Sequence, residues 1–351
     1  MTTAATAATT ADSPNAGTPN GAAPDSGAAG ASAFVGSGRL APLFRSRRML
    51  TGAAIVLFFV LLGALGPLFI GDANKFSTTQ LVGPSTAHWL GTTQIGQDVF
   101  AQLVVSTRTS LEIGLAAGAL ATVVSVVIGI FGGYLGGWAD EFLSLISNVV
   151  LVIPALPLII VISAYVKGSS ILPTIAIIAF TSWAASARVL RAQTLSIRER
   201  DYVLASRVSG ERAWRIVLVE ILPNVLPIIV SQFIFGVVFA ILTQAGLAFL
   251  GLEDPSILTW GNMLYFAQND EALSSGAWWW FVPPGLCIAV LGAGLALINF
   301  GLDEVLNPRL RTVRVKKSGT KKASTKKAAG KRDSGTTSTT GETSDTAEAQ
   351  R

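Results

Sequence analysis

Few side chains in this sequence could do chemistry. His88 is the single histidine and Cys287 the single cysteine among 351 residues. One imidazole without partners cannot hold a metal, so His88 is expected to be a hydrogen-bonded or interfacial structural residue. Cys287 lies in an apolar run, which excludes an intrachain disulfide or a thiolate cluster and leaves a packing role. Glu112 sits at the start of another apolar run and is read as snorkelling or paired, not as a proton carrier. No G-x-x-x-x-G-K-[ST] phosphate loop is present, so nucleotide hydrolysis is not expected of this chain. Nor is there a base–nucleophile pair, or a set of buried acids for proton or sodium coupling. The expectation is a non-enzyme with no cofactor and no metal.

The elements that surround these residues belong to a membrane. Half of the residues are hydrophobic and 13% are charged, about half the charged share of a soluble domain. The apolar residues fall in long uninterrupted runs. A helix needs roughly 20 apolar residues to cross the hydrocarbon core, and six stretches meet that need, at about 50–70, 111–136, 142–166, 170–188, 222–247 and 279–301. Residues 1–40 hold almost no large apolar side chains and are expected to be a disordered tail, as is the Lys-rich stretch 312–351, because neither can bury enough surface to offset chain entropy. The membrane domain is therefore set at 41–311.

Basic residues orient the spans. Arg45, Arg47 and Arg48 precede the first. Seven arginines, from Arg188 to Arg215, occupy the connection between the fourth and fifth, and Arg309, Arg311 and Arg314 follow the sixth. With six spans these segments share one side, which is read as cytoplasmic together with both termini. The other side carries Lys75, Arg108 and Lys167, and its last loop holds Glu253, Asp254, Asp270 and Glu271 without a base. The net charge of +5 is thus topology plus a solvated tail, and nucleic acid is not an expected partner. Trp278, Trp279 and Trp280 open the sixth span at the outer side, where an aromatic belt belongs.

Small residues such as Gly114, Gly118, Gly129, Gly132 and Gly133 suit close helix packing. Pro154 and Pro157 interrupt the third span, and a purely structural kink and a kink lining a solute path both fit.

The stretch 198–227, within a cytoplasmic loop set at 198–223, is too organised for a plain connection. Asp201 is expected to cap a short helix that exposes Tyr202, Val203, Ala205 and Ser206. Gly210 then permits a sharp turn, a second segment through Trp214 and Ile216 runs along the membrane surface, and Pro223 enters the first turn of the fifth span. Such a knob invites a socket on a soluble partner. From composition alone an interfacial amphipathic helix fits equally well.

Leu204-Ala205-Ser206, then Gly210, then Leu222-Pro223 resembles the EAA loop of binding-protein-dependent ABC importer permeases. The outer segment 88–114, with His88, Leu90, Gly91, Thr92, Gly96 and Asp98, is similar to a signature of the dipeptide, oligopeptide and nickel group. Ala248–Leu252, Thr259–Met263 and Asn307–Arg311 echo further motifs of that group, so the likeness runs in order over about residues 40–311. It is closest in kind to a C-type permease subunit. Departures are Leu204 for the usual Glu, Ser206 for the second Ala, Gln97 for an Arg, and Asn299-Phe300-Gly301 for Gly-Asp-Gly.

The resemblance implies an all-α, six-span permease of the type I importer fold in the inner membrane. Its partners would be a homologous second permease, two ABC ATPase subunits below and an extracytoplasmic solute-binding protein above. Asp201, Tyr202, Val203, Leu204, Ala205, Ser206 and Gly210 would form the coupling element. The cargo would be dipeptides, oligopeptides or related solutes such as nickel chelates. A secondary transporter and a membrane-embedded enzyme or scaffold are the rival readings.

Overall fold

A computed structural model of the protein describes residues 47–165 and 170–306. The tails at 1–40 and 312–351, Arg45, Lys167, Arg309–Arg314 and the Asn307–Arg311 motif lie outside the described residues.

Among the described residues the structure is helical, apart from one isolated bridge between Thr92 and Asp98. The spans are α1 (Arg47–Phe69), α2 (Val99–Val126), α6 (Ile171–Arg198), α9 (Leu222–Phe249) and α11 (Trp278–Leu306). α2 continues through a π turn at Val127–Phe131 into α3 (Gly132–Leu135). α4 (Gly137–Val152) and α5 (Ala155–Tyr165) bend by 88° at the break before Pro154 and Pro157, where proline removes backbone donors. Among the described residues five helical stretches are long and apolar enough to cross a membrane, and six if the bent pair is one span. Exposed Leu57, Phe58, Leu61 and Leu65 on α1 show the apolar outer surface of such a bundle.

Small residues set the helix contacts. A Cβ on Gly52 would lie 2.6 Å from Gly294 O, locking α1 against α11; one on Gly118 would lie 2.9 Å from Val237 N, between α2 and α9. At Gly129, inside the π turn, it would lie 2.6 Å from Ala187 O of α6. Helix backbones approach this closely only where side chains are absent.

Two boundaries and one additional helix differ from the sequence expectation. α2 begins at Val99 instead of near 111, because Arg108 and Glu112 do not interrupt it: they pair across one turn on its exposed face at 2.8 Å. α6 runs on to Arg198, since Arg188 and Arg191 find partners in Asn148 and Asp140 of α4. A short α10 (Trp260–Asn269), not anticipated, lies between α9 and α11, with Thr259 as its N-cap.

Candidate functional site

At one end of the bundle stands α7 (Asp201–Val208), followed by α8 (Ala213–Ile216) and a π turn at Val217–Ile221 that feeds α9. Asp201 does not cap α7. Arg200 holds the cap position without a side-chain bond, and Asp201 lies in the first turn, where its charge complements the helix dipole. The C-terminus closes as a Schellman turn: Glu211 N–H donates to Ser206 O and Gly210 N–H to Arg207 O, both at 3.1 Å. Gly210 has φ +77°, the left-handed conformation such a turn needs. No separate surface segment follows, because α8 is a single turn continuous with α9. The π turn sits just ahead of Pro223, at which the hydrogen-bond ladder has to shift.

The expected exposed face is also corrected. Val203 is fully buried, in a cluster with Ile130, Tyr134, Leu190, Ile216 and Ile221. Tyr202 packs against the same cluster, and that burial raises the affinity of its phenol for its proton. Ala205 is exposed as expected and Ser206 is half-buried; Leu204 and Val208, the latter 90% exposed, complete the solvent face with Ala205. These three share one side by helical spacing. An exposed apolar triad at the tip of a protrusion is the feature of a contact surface.

The base of the knob is held by contacts that span long stretches of sequence. Arg191 makes a bidentate pair with Asp140 at 2.6 and 2.8 Å. Arg198 reaches the carbonyls of Gly133 and Tyr134 at the end of α3. Arg207 lies over the Tyr134 ring, 5.1 Å from its centroid. Reading these arginines only as topology markers missed this role. Between α4 and α6 a cavity of about 340 Å³ gathers Ser144, Ser147, Asn148 and Arg188.

The signature residues of the opposite end come together in one folded loop before α2. His88 Nδ1 lies 2.7 Å from Asp98 Oδ2. Asp98 Oδ1 accepts from Ala101 N–H at 2.9 Å and caps α2. Thr92 Oγ1 accepts from Val82 N–H, and Trp279 Nε1 donates to Thr92 O at 3.4 Å. Gly91 (φ +70°) and Gly96 (φ +80°) are tight positions: a Cβ would lie 2.4 Å from Val82 O and 2.3 Å from Ser77 O, respectively. Leu90 packs on the core. Gln97, at the position of the expected arginine, donates to Asn74 O and accepts from Gln102. His88, Leu90, Gly91, Thr92, Gly96 and Asp98 thus build a clasp.

The loop between α9 and α10 is closed by its own hydrogen bonds and by contacts to α1 and α2. Asn262 Nδ2 donates to the carbonyls of Asp254 and Ile257 at 2.9 and 2.7 Å. Trp260 N–H donates to Ser110 Oγ of α2 at 3.1 Å, and its ring meets Phe59 of α1 edge-on.

Residues 125–312 match the family described as binding-protein-dependent transport system inner membrane component. The chain is 32% identical over 275 residues to the oligopeptide transport system permease protein OppC of Bacillus subtilis, covering 76% of this chain and 88% of that one. It is 30% identical over 273 residues to the dipeptide transport system permease protein DppC of Alkalihalophilus pseudofirmus (77% and 88%). To OppC of Mycobacterium tuberculosis it is 31% identical over 265 residues (75% and 90%).

Proposed function

Because the chain belongs to the binding-protein-dependent transport system inner membrane components, among the C-type permeases of peptide ABC transporters, we propose that it is one of two transmembrane subunits of an ATP-driven importer for dipeptides or oligopeptides. Nickel chelates are the alternative cargo within the same group. The chain supplies the path and the coupling, and separate ATPase subunits supply hydrolysis.

The observation that carries this reading is the α7 knob. Its Leu204, Ala205 and Val208 face is free to enter a groove on an ATPase, while Val203 on the opposite side is rooted in the cluster that joins α7 to α6, α9 and the π turn of α2. A push on α7 is therefore delivered to three spans at once. Closure of the ATPases would tilt those spans and exchange outward for inward access.

Orientation follows from charge. The α7 end holds Arg47, Arg48, Arg198, Arg200, Arg207, Arg212 and Arg215, and the opposite end holds Glu253, Asp254, Asp270 and Glu271. The α7 end is thus cytoplasmic, both termini lie there, and the 71–98 and 250–277 loops face a solute-binding protein outside. A second, homologous permease completes the pathway.

Purification of the complex in mild detergent tests the reading. Two ATPase subunits and a second permease should accompany the chain at fixed stoichiometry. A chain that transports after reconstitution without any ATPase would contradict it.

A further inference from the structure

Gln244, at the end of α9, and Glu253, in the loop that follows, face each other in the interior, 1% and 7% exposed. Gln244 Nε2 donates to Glu253 Oε2 at 2.5 Å and to Thr259 Oγ1 at 3.0 Å. The remaining oxygen of each group, Gln244 Oε1 and Glu253 Oε1, is buried without a partner. An ionised carboxylate and an amide carbonyl both only accept, so two acceptors face a deficit of donors. A single proton corrects both. Placed on Glu253 Oε1 it makes that atom a donor, and Gln244 Oε1 is the unmatched acceptor on the amide that already bonds the other oxygen.

We propose that Glu253 and Gln244 form a proton-binding site in which the neutral carboxyl and the amide close a ring of two hydrogen bonds, fastening the 250–259 loop to α9. The proton is the ligand, and the bond formed is Glu253 Oε1–H, donating to Gln244 Oε1.

Among the described residues the surroundings supply no rival cation. α6 contributes the Thr174 hydroxyl, α10 and its cap contribute Asn262 and Thr259, and α2 contributes Ser110, already engaged by Trp260 N–H. On α2, Arg108 and Glu112 are exposed and closed on each other. Burial is the largest influence and pushes Glu253 up to about 7, against the hydrogen bonds it accepts from Gln244, Thr174 and Thr259; the charge of Asp254 in its own loop adds to the push toward the neutral form. Loss of the proton leaves a buried charge that no described cation faces, and the loop loosens. The site sits where four elements meet, so its protonation sets how firmly this end of the bundle is closed. It stands whether or not the importer reading holds.

Infrared difference spectra of the full-length protein in nanodiscs, taken from mildly acidic to mildly alkaline pH, test it. Wild type should show a protonated-carboxyl C=O band that vanishes with a midpoint near 7, and Glu253→Gln should lack that band. Hydrogen exchange over 250–262 should rise beyond its intrinsic pH trend through the same range in wild type and follow the intrinsic trend in Glu253→Gln. If Glu253→Gln fails to accumulate, the wild-type exchange profile decides alone, and a purely intrinsic trend overturns the proposal. It is also overturned if the band persists in Glu253→Gln, or if a carboxylate signal present throughout responds to sodium or calcium, which would make the ligand a metal cation.

Discussion

Ser206 of α7 donates its hydroxyl to Glu220 of the π turn that leads into α9. The EAA-type loop departs from its usual pattern at these positions, with leucine at 204 and serine at 206. The pairing explains the serine: the loop's carboxylate comes from fourteen residues downstream instead of from the start of the motif, and the hydroxyl of Ser206 meets it. The knob is thereby tied directly to the span it would move.

Removing that hydroxyl should loosen the knob. In Ser206→Ala neither Glu220 oxygen keeps a side-chain donor: Oε1 loses Ser206 and Oε2 is already buried without one. A cost of about 1–3 kcal/mol follows, seen as a lower Tm for the purified protein. Glu220→Leu in the Ser206→Ala background should recover part of the loss, because it removes the stranded carboxylate.

The clasp before α2 separates two roles of Asp98. Asp98→Ala loses both the His88 contact and the cap on Ala101, whereas His88→Ala loses the contact alone. Asp98→Ala should therefore be the more damaging by roughly 1 kcal/mol, the usual worth of an N-cap. Limited proteolysis of 71–98 should rank wild type, His88→Ala and Asp98→Ala in order of increasing cleavage.

Stability should fall with pH through Glu253. Its folded value of about 7 lies above the ordinary 4.5, so the folded protein holds the proton over a range where the unfolded chain has released it. Stability is then greatest below about 4.5, declines as pH rises to about 7 and levels off beyond. A difference near 2.5 units corresponds to about 3 kcal/mol. Thermal unfolding across this range should show the decline in wild type and a flatter profile in Glu253→Gln.

Much of this architecture was legible in the sequence, and the misses share a physical cause. Apolar runs, the proline bend and Gly210 are local signals, and they placed the spans, the broken third passage and the turn of the knob. Arg108 read as an end to the apolar run, yet it pairs with Glu112 on the surface of a helix that begins nine residues earlier. Arg188 and Arg191 read as loop charges because Asn148 and Asp140 lie 40 and 51 residues away. Val203 was assigned to the exposed face because nothing in α7 alone tells which side meets Leu190 and Ile221. Glu253 looked like one more outer acid until α9 and α10 closed over it. Pairings between distant segments are not written in any one window of sequence.

Sidedness can be read by cysteine labelling in a Cys287→Ser background. Asn269 and Ser209 are both exposed and lie at opposite ends of the bundle. A membrane-impermeant reagent added to intact cells should modify Asn269→Cys and spare Ser209→Cys. Labelling of Ser209→Cys alone would invert the topology and remove α7 from the cytoplasm.

In the proposed importer α7 couples this chain to an ATPase through Leu204, Ala205 and Val208. The direct measurement is the amount of ATPase retained by Ala205→Arg during purification. Ala205 is exposed and lies outside the spans, so the variant should insert and accumulate as wild type does. Forcing a guanidinium into a closely fitted apolar contact would bury an unpaired charge, at a cost on the order of 3–5 kcal/mol, and the ATPase subunits should be lost together with transport. Stoichiometric ATPase on Ala205→Arg, with transport at the wild-type rate, would contradict the assignment of α7 as the coupling element.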